Sequence, residues 1–74
     1  MPEYLDACLV TDVRPGDTWM QAGDEVLVRD VERFTDDHVG EMVRIYGRIV
    51  RGYGASTRER TWAWPITQTL AIRR

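Results

Sequence analysis

The chain has 74 residues, a formal net charge of −2 and 43% hydrophobic residues. A chain of this length forms one domain, which we assign to residues 1–74, and its composition is that of a folded rather than a disordered protein. The single cysteine, Cys8, excludes an intrachain disulfide. Cys8 and the single histidine, His38, supply too few ligands for a structural zinc site.

The segment MPEYLDACLV has no positively charged start, and Asp6 interrupts its apolar run, so we expect no secretory signal. No stretch approaches the ~18 consecutive apolar residues of a membrane-spanning helix. We therefore predict a cytoplasmic protein without membrane contact. The chain contains ten arginines but no lysine and no asparagine. This bias is typical of a GC-rich genome, such as that of a bacterium or one of its phages.

Alternating apolar and polar residues predict the first strand in EYLDACLV (3–10). RPGD (14–17) and QAGD (21–24) have turn composition, and TWM between them is expected to be a short crossing segment with Trp19 in the core. EVLVRDV (25–31) is rich in β-branched residues and predicts a second strand.

The segment ERFTDDHVGEM (32–42) interrupts the β pattern. Thr35 could cap a short helical turn, with Asp36 and Asp37 in the first turn, where carboxylates suit the helix dipole. A structured hairpin loop is the alternative. The sequence alone leaves both open.

EMVRIYGRIVR (41–51) has a period of two, which predicts a third strand. Gly47 on its inner face would suit a bend or bulge. RGYGAST (51–57) is expected to be a loop, and RTWAWPITQTLAIRR predicts two strands, 58–64 and 66–73, separated by a kink at Pro65. The expected inward residues of the third strand are Val43, Ile45, Gly47 and Ile49, and the outward ones are Met42, Arg44, Tyr46, Arg48 and Val50.

Five short strands, with or without one helical turn, predict an all-β fold, and a small five-stranded barrel of the SH3-like or OB-like type would leave few exposed edges. GDEVLV (23–28) resembles the entry into a strand that is common in such barrels, a likeness of architecture over a few residues. A homodimer that pairs strand edges is the alternative way to cover those edges.

Residues suited to catalysis are few. Ser56, His38 and Cys8 are single, there is no lysine, and nothing in the pattern brings a base to a nucleophile, so we predict no catalytic site and no cofactor. Asp36, Asp37 and His38 have metal-ligand side chains, but their spacing matches no metal-binding loop, so we predict no metal site.

Arginines and tyrosines on one strand face are the best functional candidates. Arg44, Tyr46 and Arg48 would project about 6.5–7 Å apart, and arginines flanking an aromatic ring can hold phosphates while a base stacks on the ring. The alternative is that these arginines pair with acids of the 25–31 strand. The full candidate nucleic-acid or anion site is Arg44, Tyr46, Arg48, Arg51, Tyr53, Arg58 and Arg60.

Charge is distributed unevenly: residues 1–41 hold eleven acids and three arginines, whereas residues 42–74 hold seven arginines and one acid. The two halves could form a polar molecule, or their strands could interleave and neutralise each other. A sequence pI near 5.2 disfavours tight duplex DNA binding, so single-stranded nucleic acid or RNA is the favoured partner.

The competing hypothesis is a protein-interaction module or a small, virus-encoded inhibitor. Its contact surface would be the acidic N-terminal half or an exposed tryptophan, since tryptophan is enriched at binding hot spots. The tryptophans in question are Trp19, Trp62 and Trp64.

Overall fold

The computed structural model describes the backbone of residues 5–73 and the side chains of residues 7–73, and this part of the chain folds into six strands and one short 3₁₀ helix. Residues 3 and 4 of the first predicted strand lie outside the described residues. The strands are β1 (Leu5–Leu9), β2 (Thr18–Gln21), β3 (Asp24–Asp36), β4 (Gly40–Arg51), β5 (Arg60–Pro65) and β6 (Thr69–Arg73), and the 3₁₀ helix is Val10–Asp12.

The strands form one antiparallel sheet in the order β1-β6-β2-β3-β4-β5. The prediction of a small all-β fold is confirmed, but the prediction of five strands is wrong. The additional strand is β2, which lies in the expected crossing segment and pairs with both β3 and β6. In residues 5–73 the edge strands β1 and β5 do not pair, so the sheet is not a closed barrel.

A tight turn joins β3 to β4, so the hairpin alternative is correct and the helical turn is not. The Asp36 carboxylate accepts hydrogen bonds from the backbone N–H groups of His38 (2.8 Å) and Val39 (3.0 Å). Gly40 then has a φ of +96°, a conformation that favours glycine. Asp36 therefore organises the turn amides with its side chain, as aspartate does in tight turns, rather than starting a helix.

A register irregularity in β3 lies opposite Gly47. Val28 pairs with Gly47 and Asp30 with Tyr46, which leaves Arg29 outside the ladder. A Cβ atom at Gly47 would overlap the Leu27 carbonyl oxygen and lie 3.2 Å from the carbonyl carbon. The bulge predicted at this level of the sheet is confirmed, although the additional residue belongs to β3 rather than β4.

The core lies on the concave side of the sheet. Trp19 of β2 makes edge-to-face contacts with Trp62 and Trp64 of β5, with ring centroids 5.0 and 5.6 Å apart. Because β3 and β4 separate these strands in the sheet, the contacts show that the sheet curls over its own core. The buried hydrophobic residues are Cys8, Val10, Val13, Trp19, Val26, Val28, Val43, Ile45, Ile49, Leu70 and Ile72.

The two faces predicted for β4 are confirmed. Val43, Ile45, Gly47 and Ile49 are buried, whereas Arg44 and the other outward residues are exposed or half-buried. Within residues 5–73, no helix has the length and apolar character needed to cross a membrane.

Candidate nucleic-acid interface

The first half of the outward face of β4 is neutralised within the sheet. Antiparallel register places Glu32 directly opposite Arg44, and the Arg44 Nη1 atom lies 2.7 Å from the Glu32 Oε1 atom. The Arg44 guanidinium also lies over the Phe34 ring, 4.1 Å from its centroid. The neighbouring Tyr46 hydroxyl and then the Glu32 carboxylate raise the pKa of Arg44, so this cation is held by its own sheet.

Tyr46 is engaged in the same way. Its hydroxyl donates to the Glu32 Oε1 atom at 3.4 Å, and the Arg29 guanidinium lies 5.6 Å from its ring centroid. We call Glu32, Phe34, Arg44 and Tyr46 the neutral ladder. The pairing predicted as the alternative is therefore present for Arg44, with an acid one residue beyond the 25–31 segment.

The second half of the candidate set surrounds the β4–β5 connection, residues 48–60, which we call the arginine loop. Its candidate side chains are exposed, and Tyr53 is fully exposed, at 107% of its reference area. Among the described residues these arginines have no ion pair. The candidates in the loop are Arg48, Arg51, Tyr53, Arg58 and Arg60.

Arg51 lacks a partner for a structural reason. It lies opposite Glu25 in the register, but the Glu25 carboxylate forms an ion pair with Arg73 of β6 instead. Glu25 is buried in its ion pair with Arg73, whereas Arg51 is exposed and makes no ion pair among the described residues.

Backbone contacts give the arginine loop a defined shape. Ala55 N–H donates to the Gly52 carbonyl oxygen at 3.2 Å, and Ser56 N–H donates to the Ile49 carbonyl oxygen at 3.0 Å. The Gly54 N–H donates to the Asp24 carboxylate at 3.3 Å, which ties the loop to the start of β3. Tyr53 is thus presented outward from an ordered turn.

Two clefts border the loop. The first, of about 430 Å³, lies between the β3 bulge and the loop and is called here the Arg48 cleft. The second, of about 420 Å³, lies under residues 55–57. Arg48 and Thr57 line both, so they form the divide between two adjacent clefts. The Arg48 cleft is lined by Gly16, Leu27, Val28, Arg29, Gly47, Arg48, Thr57 and Glu59.

An ion pair forms one wall of the Arg48 cleft. Arg29 holds Glu59 through two hydrogen bonds, one of which joins Nη2 to Oε1 at 2.9 Å. The hydrogen bond from Arg29 lowers the pKa of Glu59, and Glu59 in turn raises the pKa of Arg29. Both groups therefore remain charged at neutral pH. Sequence reasoning missed this pair, although Glu59 stood out as the single acid of residues 42–74.

Ion pairs between the acidic and basic halves of the sequence partly neutralise their opposite charges in the folded protein. The pairs Arg29–Glu59, Arg44–Glu32 and Arg73–Glu25 each join a residue of 1–41 to a residue of 42–74. Interleaving of the two halves therefore neutralises the body of the sheet, whereas the arginine loop stays basic.

Ser56 and Cys8, which were considered for catalysis, form hydrogen bonds to neighbouring residues. Within residues 5–73, no group of three or more His, Cys, Asp and Glu side chains is placed to hold a metal ion. The Ser56 hydroxyl accepts a hydrogen bond from the Arg58 N–H at 3.1 Å, and Cys8 is buried.

Comparison with known proteins found no matching family model, no matching curated protein and no matching solved structure.

Proposed function

We propose that this protein is a non-enzymatic binding module that contacts single-stranded nucleic acid, DNA or RNA, through the arginine loop. The observation that carries the proposal is that the arginine loop holds four exposed arginines without ion pairs among the described residues, together with a fully exposed tyrosine. Arginine donates bidentate hydrogen bonds to phosphate, and an exposed aromatic ring offers a stacking surface for a base.

A single strand suits this surface better than a duplex. The arginine loop holds four arginines without ion pairs among the described residues, but the chain as a whole has a net charge of −2, so a long duplex would meet acidic surface beyond the loop. A flexible strand can follow the loop alone. Stacking on Tyr53 is worth about 1–3 kcal/mol per base and needs a base that is not already paired.

The contacts of Arg44 and Tyr46 support a division of the predicted site into two parts. Arg44 and Tyr46 are tied to Glu32, so we assign them a flanking role. The direct contacts are assigned to Arg48, Arg51, Tyr53, Arg58 and Arg60.

We also propose that the curled sheet is an open relative of SH3-like barrels rather than of OB-like ones. The support is topological: β2 to β5 are sequential neighbours, and β6 returns to pair with β2, as the last strand of an SH3-like barrel does with the first. β1 then adds one strand beyond β6.

Fluorescence anisotropy with labelled single-stranded oligonucleotides at several salt concentrations tests the function. Four phosphate contacts predict a slope of log K against log salt of about −2.8. The double variant Arg51→Ala, Arg58→Ala should weaken binding at low salt and reduce that slope by about 1.4.

The matched control is Arg33→Ala compared with Arg51→Ala. Arg33 is also exposed and without an ion pair among the described residues, but it lies opposite Val43, toward the far end of the β3–β4 hairpin. Its removal should leave the slope unchanged. Absence of binding at low salt, or equal effects of both single variants, would overturn the proposal.

The alternatives drawn from the sequence have less support. Trp19 is buried, and Trp62 and Trp64 are half-buried against the core, so an exposed tryptophan anchor is not part of the described structure. A protein partner would have to use the acidic half. Homodimerisation through the edges of β1 and β5 would appear in sedimentation as a concentration-dependent mass.

A further inference from the structure

The Arg48 cleft has the character of a small-molecule site. Its volume of about 430 Å³ falls near the lower end of the ~300–1,000 Å³ that such sites occupy. Leu27, Val28 and Gly47 contribute to its lining, which is mostly apolar, as the lining of ligand sites commonly is. A Cβ atom at Gly47 would overlap the Leu27 carbonyl oxygen, so this lining position stays free of a side chain.

The polar groups of the cleft have two different signs. Glu59 supplies a carboxylate acceptor, and at 46% side-chain exposure it is accessible from solvent. Arg48 supplies a cation without an ion pair among the described residues. Because a carboxylate has about four acceptor positions and Arg29 occupies two, Glu59 can accept a further hydrogen bond. A nucleotide offers both complements, an amino group and a phosphate.

The second cleft adjoins the Arg48 cleft, so one polymeric ligand could occupy both. Arg48 and Thr57 line both clefts, so a ligand that spans them passes over a guanidinium and a hydroxyl group. A nucleic-acid strand has this repeating form, with a base in a cleft and a phosphate at the divide.

We propose that the Arg48 cleft holds one unstacked nucleobase of the bound strand, and that the Glu59 carboxylate recognises it by accepting a hydrogen bond from its exocyclic amino group. This inference rests on the proposed function. Glutamate accepts from the cytosine N4 amino group in known recognition, and an unstacked base exposes its whole Watson–Crick edge. Cytosine, adenine and guanine carry such an amino group, whereas uracil and thymine place carbonyl oxygens there, which a carboxylate repels.

The test compares anisotropy titrations of labelled oligodeoxycytidylate and oligothymidylate of equal length at one salt concentration. The wild-type protein should prefer the cytosine strand by about tenfold, the effect of one hydrogen bond to a charged group. In Glu59→Gln, whose amide can also donate to thymine O4, the preference should fall to within about twofold.

The ratio of the two affinities is the decisive quantity. Glu59→Gln also releases Arg29 and raises attraction for both strands, but that electrostatic gain cancels in the ratio. Glu41→Gln, an exposed acid at the other end of β4, removes the same charge and should leave the ratio unchanged. Since Glu59 is exposed, we expect its variant to fold.

The outcomes separate the two proposals. If both strands bind and Glu59→Gln leaves their ratio as in the wild type, the cleft inference is wrong and the proposed function stands. If neither strand binds at low salt, the proposed function fails and the inference fails with it.

Discussion

The neutral ladder and the arginine loop lie along the same strand but differ in what faces them. Opposite Arg44, β3 supplies Glu32, whose carboxylate satisfies both the guanidinium and the Tyr46 hydroxyl. Opposite Arg51, β3 supplies Glu25, which is buried and paired with Arg73. Two arginines of the same strand therefore differ: Arg44 forms an ion pair within the sheet, whereas Arg51 has no ion pair among the described residues.

This difference shows that arginine spacing is a poor guide to anion binding in a sheet. Exposed ion pairs contribute little to stability, about 0–1 kcal/mol, yet they determine whether a cation is available to a ligand. The boundary between the two regions is Gly47, beside the β3 bulge that places Arg29 over Tyr46 and next to Glu59. The following predictions test that division.

The largest expected change in unfolding free energy comes from a substitution in the core that supports both regions. Trp19 is 2% exposed and contacts Trp62 and Trp64, so Trp19→Ala should cost about 3–5 kcal/mol of unfolding free energy. In so small a domain this approaches the whole stability. Tyr53→Ala, the exposed aromatic control, should change stability by about 0.5 kcal/mol or less. Urea denaturation measures both, and equal losses would contradict the assignment of Tyr53 to ligand binding.

The second-largest expected loss of stability comes from a substitution at Gly47, the boundary between the two regions. Gly47→Ala should cost about 2 kcal/mol, because its Cβ atom would meet the Leu27 backbone, which cannot move without disturbing the ladder. The control is Gly54→Ala, whose Cβ atom would meet the movable Cδ1 atom of Ile49 at 3.0 Å. We expect a smaller loss there. If thermal denaturation shows Gly47→Ala to be tolerated, the close approach of β3 and β4 is not required.

A smaller effect should make the neutral ladder resemble the arginine loop. Glu32→Ala releases Arg44 and Tyr46, so oligonucleotide affinity should rise several-fold at low salt and the salt slope should steepen by about 0.7. Unfolding free energy should change by less than about 1 kcal/mol. Glu41→Ala removes the same charge away from Arg44 and should not steepen the slope. Identical results for both variants would indicate a general charge effect.

The smallest effect is electrostatic. In Arg29→Gln the pKa of Glu59 should rise toward the ordinary carboxyl range, because its main hydrogen-bond donor is lost. In the wild type the folded-state pKa is lowered, so the pair stabilises the fold above that range and ceases to do so as the pH falls through the lowered value. NMR titration of side-chain carboxyl carbons measures this. Asp36, whose pKa is lowered by the His38 and Val39 amides, should titrate as before.

Local pattern was sufficient to predict part of the fold. The period of two in β4 assigned each residue to a face, because successive side chains of a strand point to opposite sides. The same pattern did not reveal β2, which has only four residues and is stabilised by neighbours on both sides. Nor did it choose between helix and hairpin at 35–39, where the side chain of Asp36 decides.

The candidate site was predicted as one surface, but Arg44 and Tyr46 are tied to Glu32 of β3. Arg48, Arg51, Tyr53, Arg58 and Arg60 lie at the end of β4, on the connection that follows it and at the start of β5. Arg29 and Glu59 were absent from the predicted set because they are 30 residues apart in sequence and meet only through the bulge and the curl of the sheet. The position of Glu59 as the single acid among seven arginines was the signal that could have drawn attention to it.

The sequence by itself determined the all-β class, the inward and outward faces of β4 and the basic character of residues 42–74, because these depend on residues near one another in the chain. Tertiary structure alone decided which arginines keep a free charge. That outcome depends on register: pairing Glu32 with Arg44 and burying Glu25 against Arg73 are contacts between distant strands, which no local pattern encodes.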